Sequence, residues 1–143
     1  MKTVFDWLLS RDSNTDSISS LGLLLLRLGA GLIMAFSHGL GKLTTFSERA
    51  PEFADPLGFG STFSLAFAVF AEFFCSLLLA LGLFTRAVVV PLLITMAVAF
   101  LIIHAEDPFR RKELAILYFT IYTTLFFTGP GKFSLDRFFA RKQ

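Results

Sequence analysis

Four stretches of nearly continuous apolar residues alternate with short polar segments along this chain. About 20 apolar residues, rising ~1.5 Å each in a helix, cross the ~30 Å hydrocarbon layer of a bilayer. The stretches lack the alternation with a period of two that marks a membrane β-barrel, and lipid tolerates no other spanning structure than helices or barrels. The pattern therefore predicts four membrane helices, at about residues 18–41, 61–84, 87–104 and 113–128.

The order and spacing of these stretches predict an architecture. Short connections place successive helices antiparallel, so we expect an all-α, integral-membrane four-helix up-and-down bundle forming a single domain over residues 1–143. The fourth stretch is short for a complete span, and its ends are the least defined. The polar lead of residues 1–17 carries acids as well as bases and no small-residue cleavage pattern follows it, so we expect no removable signal peptide.

Composition supports a membrane protein and excludes several other classes. The chain of 143 residues is 55% hydrophobic and contains 19 phenylalanines, and its mean hydropathy of +0.69 is too high for a soluble domain of this size. A net charge of +2 is too small to indicate binding to nucleic acid. Cys75 is the single cysteine, which rules out an intramolecular disulfide or a thiolate metal site.

Basic residues cluster near the ends of the apolar stretches, and their distribution predicts the orientation. With both termini in the cytoplasm, the cytoplasmic side carries seven basic residues and the outer side five. The seven are Lys2, Arg11, Arg86, Lys132, Arg137, Arg141 and Lys142, and the five are Lys42, Arg49, Arg110, Arg111 and Lys112.

Two charged residues lie deep inside predicted spans, Arg27 in the first and Glu72 in the second. Each costs roughly 2.5–3.5 kcal/mol at a helix centre, so each needs a partner or a wet cavity. Their depths, ~13 and ~18 Å from the cytoplasmic ends, lie within the reach of an arginine side chain, and we predict a buried ion pair between them. Such a pair serves either to lock two helices in register or as the polar floor of a cavity in which Glu72 exchanges a proton.

Helical phase places further polar residues together. At ~100° per residue, one stripe of the first helix, predicted to face the bundle interior, carries three basic side chains. This stripe consists of Arg27, Gly31, Met34, His38 and Lys42. His38 and Lys42 lie near the outer end of that helix, where His104 ends the third helix and Glu113 begins the fourth, so we expect these four groups to converge at an outer mouth.

A matching stripe on the fourth helix carries three threonines, whose hydroxyls can bond across helices or back to their own carbonyls. It consists of Glu113, Leu117, Thr120, Thr124 and Thr128. Such a stripe is more often packing than a site.

The chemistry of the mouth favours an amphipathic ligand over a metal. Two histidines and a carboxylate on different helices lack the spacing of a metal motif. An apolar cavity with N–H donors at its rim suits a quinone, whose carbonyls accept hydrogen bonds while its ring contacts phenylalanine. The segment Thr44–Gly60, which contains acids, prolines and glycines, is either an outer lid, an amphipathic turn on the bilayer or a plain connection.

The order and spacing of several short motifs resemble the DoxX family of small membrane proteins. The motifs are the arginine of the first helix, "SHGLGKL" at its end, "FAEFFCSLLLALGLFTR" and the closing "TGPGKFSLDRFF". The resemblance covers residues 21–139. It carries over to Arg27, His38, Gly39, Lys42, Glu72, Gly82, Arg86, Glu113, Gly129, Gly131 and Asp136.

Membership of this family implies a four-helix protein of the bacterial-type inner membrane with both termini cytoplasmic, similar to membrane subunits of thiosulfate:quinone oxidoreductases. We therefore expect a membrane subunit that binds a quinone or lipid-like ligand in a respiratory or sulfur/thiol redox assembly. The expected catalytic residues are Glu72 and His38, and the expected ligand-binding residues are Arg27, Lys42, Arg86, His104 and Glu113. Lys42 and His38 would donate to the ligand, Glu72 would handle a proton, and Arg27 and Arg86 would anchor charge.

The sequence carries no thiol pair, no haem-ligand pair recognisable by spacing and no dinucleotide fingerprint. We therefore expect no metal or nucleotide cofactor, and at most a subunit of an oxidoreductase rather than an enzyme acting alone. The expected partners are membrane lipid, other redox subunits and a second copy of the chain. Two alternatives stay open, a scaffolding membrane protein whose charges only fix helix register, and a transporter of a small solute.

Overall fold

A computed structural model describes residues 17–140, and within this range every regular element is a helix. The helices are α1 (Ser17–Thr44), α2 (Phe46–Arg49), α3 (Ser61–Leu81), α4 (Thr85–Ile103), α5 (Phe109–Thr128) and α6 (Leu135–Ala140). The prediction that no signal peptide is removed concerns residues outside this range. Four of the basic residues used to predict the orientation also lie outside it, namely Lys2, Arg11, Arg141 and Lys142.

Three of the described helices, α1, α3 and α4, are long and apolar enough to cross a membrane. The sequence placed these helices correctly but misjudged their ends. Helix α1 continues to Thr44 rather than residue 41, because its polar end is still helical. Helix α3 ends at Leu81, since Gly82 adopts a left-handed conformation with φ of 69°, and α4 begins at Thr85 rather than residue 87.

Helix α5 begins four residues earlier than predicted, at Phe109, directly after Pro108. Its 20 residues reach about 30 Å. Its first turns contain the charged sequence "RRKE", so it is less apolar than α1, α3 and α4. It packs along α4 and buries Tyr118, Tyr122 and Leu125 in the common core.

Two glycines allow α1 and α3 to approach closely. A Cβ atom on Gly31 would lie 2.6 Å from the Ser76 carbonyl oxygen, and one on Gly39 would lie 2.6 Å from the Phe73 amide nitrogen. Small residues of this kind let backbones touch in a membrane, where apolar attraction between helices is weak. Gly29 lies on the opposite, exposed face, where an added Cβ atom would meet no other atom within 4 Å.

The helices pack tightly at one end and separate at the other. We call the end that holds Ser17, the α3–α4 turn and Gly129 the tail end, and the end that holds residues 45–60 and 104–108 the loop end. At the tail end the Lys132 amide donates to Ser20, and the Asp136 amide donates to the Gly82 carbonyl. Towards the loop end α3 diverges from α4, which leaves a cavity between the helices.

Each strongly apolar helix contains a π-helical turn at the level of this cavity. The turns are Met34–Gly39 in α1, Phe70–Cys75 in α3 and Ala99–Ile103 in α4. A π turn inserts one extra residue into an α-helix and frequently occurs at functional sites. The extra residue shifts the helical phase, so the side chains on either side of it face the interior over a wider arc.

Candidate functional site

A cavity of about 610 Å³ lies between α1, α3, α4 and α5 at the loop end. This volume is within the range of small-molecule sites. Its wall is mainly apolar, with Phe63, Phe67 and Ile103 among its residues. Its polar groups are His38, Lys42, Ser64, Glu72, Thr95, His104, Arg111 and Tyr118. The sequence predicted four of these, His38, Lys42, Glu72 and His104, as site residues.

An ion pair between Lys42 and Glu72 lies at the centre of the polar set. The Lys42 ammonium donates to the Glu72 carboxylate at 2.5 Å, and the two side chains are only 19% and 7% exposed. Charges removed from water in this way are stable only when paired. The buried charge of α3 therefore has a partner, and that partner is Lys42.

The predicted ion pair between Arg27 and Glu72 is wrong. Arg27 lies near the tail end, and its guanidinium donates to the carbonyls of Leu79, Ala80 and Phe133 instead. The depths of the two residues and the length of the arginine side chain made that pair feasible. The sequence did not reveal that Arg27 would instead donate to carbonyls at the end of α3, which have no partner inside the helix.

The π turns of α1 and α3 carry the two predicted catalytic residues. His38 lies in one and Glu72 in the other, and these turns contact each other where Gly39 removes the side chain between them. The His38 ring meets the Tyr118 ring edge-on, with centroids 6.4 Å apart, and Tyr118 stacks on Tyr122 at 5.7 Å. Tyr118 was missed as a site residue, because a tyrosine in an apolar run gives no signal distinct from packing.

His104 is held in place at the mouth of the cavity by Asp107. The His104 Nδ1 atom and the Asp107 carboxylate lie 2.7 Å apart, and Arg111 donates to the other carboxylate oxygen at 3.3 Å. The hydrogen bond with His104 lowers the pKa of Asp107 below its ordinary value, and the charge of Arg111 acts in the same direction. An ionised Asp107 favours the proton on Nδ1, which leaves Nε2 as an acceptor in the neutral ring. Asp107 was also missed, although its i, i+3 spacing from His104 is a usable signal.

The α1–α3 loop, residues 45–60, covers one side of the cavity. Its lining residues are Phe53, Ala54, Pro56, Leu57 and Phe59. Asp55 anchors the loop to α3, because its carboxylate accepts from the Phe59 and Gly60 amides at 3.1 and 2.8 Å and from the Ser64 hydroxyl at 2.8 Å. The bond from Ser64 is the main reason that the pKa of Asp55 is lowered. Of the three interpretations of this segment, a cover over the cavity fits its position best.

Arg86 and Asp136, like Arg27, lie at the tail end and not in the cavity. Arg86 donates to the Phe126 and Phe127 carbonyls at the end of α5, at 3.0 and 3.3 Å. The Asp136 carboxylate accepts from the Phe84 and Thr85 amides at the start of α4, at 2.7 and 3.0 Å. These charges satisfy the open backbone groups of helix ends, so we leave Arg27 and Arg86 out of the ligand site.

The convergence of Glu113 with the histidines is also wrong. Glu113 is exposed on the outer face of α5 and does not line the cavity. The threonine stripe that begins there faces outward too, and Thr120, Thr124 and Thr128 each donate to the carbonyl four residues earlier. Helix α5 instead presents Tyr118 and Tyr122 to the interior. The prediction was wrong because it assigned the inward face of the fourth helix from its polar residues.

The inward stripe of α1 is confirmed. Arg27 and Met34 are 0% and 2% exposed, Gly31 is buried, and His38 and Lys42 reach the cavity. Across residues 17–140 no three histidine, cysteine, aspartate or glutamate side chains come together as a metal site.

Comparison with known proteins identifies the chain by a family model. The model of the DoxX family matches residues 22–105, which include most of α1, all of α3 and α4, and the loop over the cavity. No curated protein and no solved structure matches the chain significantly. The match covers more than half of the chain and includes Lys42, Glu72 and His104, so this membrane protein belongs to the DoxX family.

Proposed function

We propose that the chain forms a single-domain, four-helix up-and-down bundle in a bacterial-type inner membrane, with α5 as the fourth spanning helix. The packing of α5 along α4 and its length of 20 residues support this, and its charged first turn would lie at the outer interface. Both termini would lie in the cytoplasm, in agreement with the larger number of basic residues predicted at the tail end.

Within that bundle, the cavity binds a quinone or a similar lipid-like ligand, and the protein acts as a membrane subunit of a redox assembly. The observation that carries this proposal is the pair of Lys42 and Glu72, held almost out of water in a largely apolar cavity of about 610 Å³. An amphipathic ligand fits such a site, because its ring contacts the phenylalanines and its oxygens need donors.

The polar groups take different roles towards that ligand. Lys42 and His38 donate hydrogen bonds to its oxygens, and Glu72 accepts or returns a proton. His104, oriented by Asp107, lies at the mouth and contacts the outer part of the head group. Redox chemistry itself is supplied by the ligand and by a partner subunit.

Ligand-induced stabilisation tests the proposal. Purified protein in detergent should gain thermal stability when a short-chain quinone is added, since a ligand that binds only the folded state stabilises it by about 2.7 kcal/mol at 100 times its Kd. The Glu72→Gln variant should stay folded and lose most of this gain. A parent protein whose Tm does not change at saturating quinone would contradict the proposal.

A scaffolding role is the second candidate, and the tail end favours it. There, Arg27, Arg86 and Asp136 bind backbone groups at or near helix ends. If Lys42 and Glu72 also served only to hold the helices together, Glu72→Gln would leave the activity of the assembly intact. If they belong to a ligand site, the folded variant would lose that activity.

A further inference from the structure

Two buried hydroxyl groups, each one helical turn beyond a cavity-lining residue (Glu72 or Tyr118), make no full hydrogen bond. They are those of Ser76 in α3 and Tyr122 in α5, and both residues are 0% exposed. A buried hydroxyl without a full partner destabilises the fold, and the large majority of buried polar groups in native proteins bind another protein group or an ordered water.

The two hydroxyls lie next to each other and next to Glu72. Ser76 follows Glu72 by four residues, one turn further along the same helix. The Tyr122 hydroxyl lies within weak hydrogen-bonding reach of the Ser76 hydroxyl, without forming a full bond to it, and within electrostatic range of Glu72. Two hydroxyls and a carboxylate therefore surround one spot between α3 and α5, and one water needs two to four polar partners of this kind.

The surroundings restrict what else can occupy this spot. Leu79, Leu125 and Cys75 are at most 1% exposed and form part of the same core. They add no further oxygen ligand, and Lys42 already pairs with the Glu72 carboxylate, so the spot does not suit a cation, whereas an apolar group would leave the hydroxyls unsatisfied. A single water molecule satisfies both hydroxyls and still has a hydrogen to donate to the carboxylate.

We propose that Ser76 and Tyr122 hold a buried water molecule beneath Glu72, which links this carboxylate to the interior of the bundle. On one side Glu72 binds Lys42, and on the other it would accept from this water. When a ligand fills the cavity and excludes solvent, the water remains as a proton-exchange partner of the carboxylate. This last role rests on the proposed function, whereas the water site itself does not depend on any ligand.

Radiolytic labelling in H2¹⁸O tests the site directly, because hydroxyl radicals formed from a bound water oxidise the side chain that holds it. In the full-length protein without ligand, Tyr122 should be labelled strongly although its side chain is buried. Leu79 and Leu125, equally buried, provide the dry controls. The variant Ser76→Ala, checked for helix content, should lower the labelling of Tyr122 several-fold.

Thermal unfolding provides a second test, because Tyr122→Phe should shift the Tm in opposite directions depending on whether the water is bound. If the water is bound, Tyr122→Phe removes one of its partners and lowers the Tm by about 2–4 °C. If the hydroxyl is unpartnered, the same change removes a penalty and raises the Tm. Absent labelling of Tyr122, labelling unchanged by Ser76→Ala, or a raised Tm would each overturn the water site. Since these measurements contain no quinone, their failure would leave the test of quinone binding unaffected.

Discussion

At the scale of single residues, the buried charges of this apolar chain serve two different purposes. At the tail end, Arg27, Arg86 and Asp136 bind backbone groups that have no partner inside a helix. At the loop end, Lys42 and Glu72 bind each other in the wall of a cavity. The first arrangement binds its charges to the backbone, whereas the second presents two charges that a ligand can separate.

Removing the lysine of that pair should be costly. In Lys42→Gln the Glu72 carboxylate stays buried and loses its charge partner, so we expect the free energy of unfolding to fall by about 3 kcal/mol. Unfolding of the purified protein measures this. Lys112→Gln is the matched control, because Lys112 donates to the Ala105 carbonyl and lies over the Phe100 ring at the exposed loop end, where the loss should stay below about 1 kcal/mol. Equal losses of unfolding free energy in Lys42→Gln and Lys112→Gln would show that the ion pair contributes no more to stability than the lysine at the exposed loop end.

The sequence predicted which residues of α1 face inward but not which groups they bind. A period of 3.6 residues fixes the side of a helix that a residue occupies, and this was enough for Arg27, His38 and Lys42. The partner depends on which backbone groups of the other helices lack hydrogen bonds. Which backbone groups these are depends on where the helices end. Arg27, for example, lies against Gly82, directly after the end of α3, and donates to the Phe133 carbonyl.

At the scale of elements, the crossing of α1 and α3 determines the geometry of the site. Gly31 and Gly39 let the two backbones touch, and the two π turns meet at the second of these glycines. The sequence predicted the helices, but no pattern in it indicated three π turns. Such a turn depends on how the extra residue packs against a neighbouring helix.

A methyl group at Gly39 should therefore disturb the site. Its Cβ would lie 2.6 Å from the Phe73 amide nitrogen and 2.7 Å from the Glu72 carbonyl oxygen, and backbone cannot move aside as a side chain can. We expect Gly39→Ala to lower the free energy of unfolding by about 1–3 kcal/mol. The control Gly29→Ala, which has open space, should leave stability unchanged or raise it by up to about 1 kcal/mol. Chemical unfolding of both variants compares them, and a neutral Gly39→Ala would refute the close crossing.

The attachment of the α1–α3 loop should depend on pH. The pKa of Asp55 is lower in the folded protein than its ordinary value of about 3.9, so its bonds stabilise the loop above that pH and are lost as the pH falls through the lowered value. Hydrogen exchange, corrected for the intrinsic rate, should show protected Phe59 and Gly60 amides at neutral pH and loss of protection in acid. In Asp55→Asn the protection should be weak at every pH. Protection that is the same in parent and variant would exclude the carboxylate as the anchor.

At the scale of the whole molecule, the chain forms a tight tail end and an open loop end. The positions of the membrane helices followed from hydropathy alone, because apolar length is a direct physical requirement of the bilayer. The cavity did not follow, since it results from the divergence of α3 from α4 and from the loop over it. Three of the four residues predicted at the outer mouth still meet there, His38, Lys42 and His104, because residues at the same depth of neighbouring helices come together in any antiparallel packing.

The orientation of these two ends can be measured with single cysteines in a Cys75→Ala background, where the native thiol, only 1% exposed, is removed. Glu106→Cys and Glu48→Cys place exposed thiols at the loop end, and Ser17→Cys places one at the tail end. If the tail end is cytoplasmic, an impermeant maleimide added to intact cells labels the first two variants and labels the third only after lysis. The basic residues favour this result because positively charged segments resist translocation. The opposite pattern would place the cavity mouth in the cytoplasm, and labelling of all three from outside would contradict a spanning arrangement.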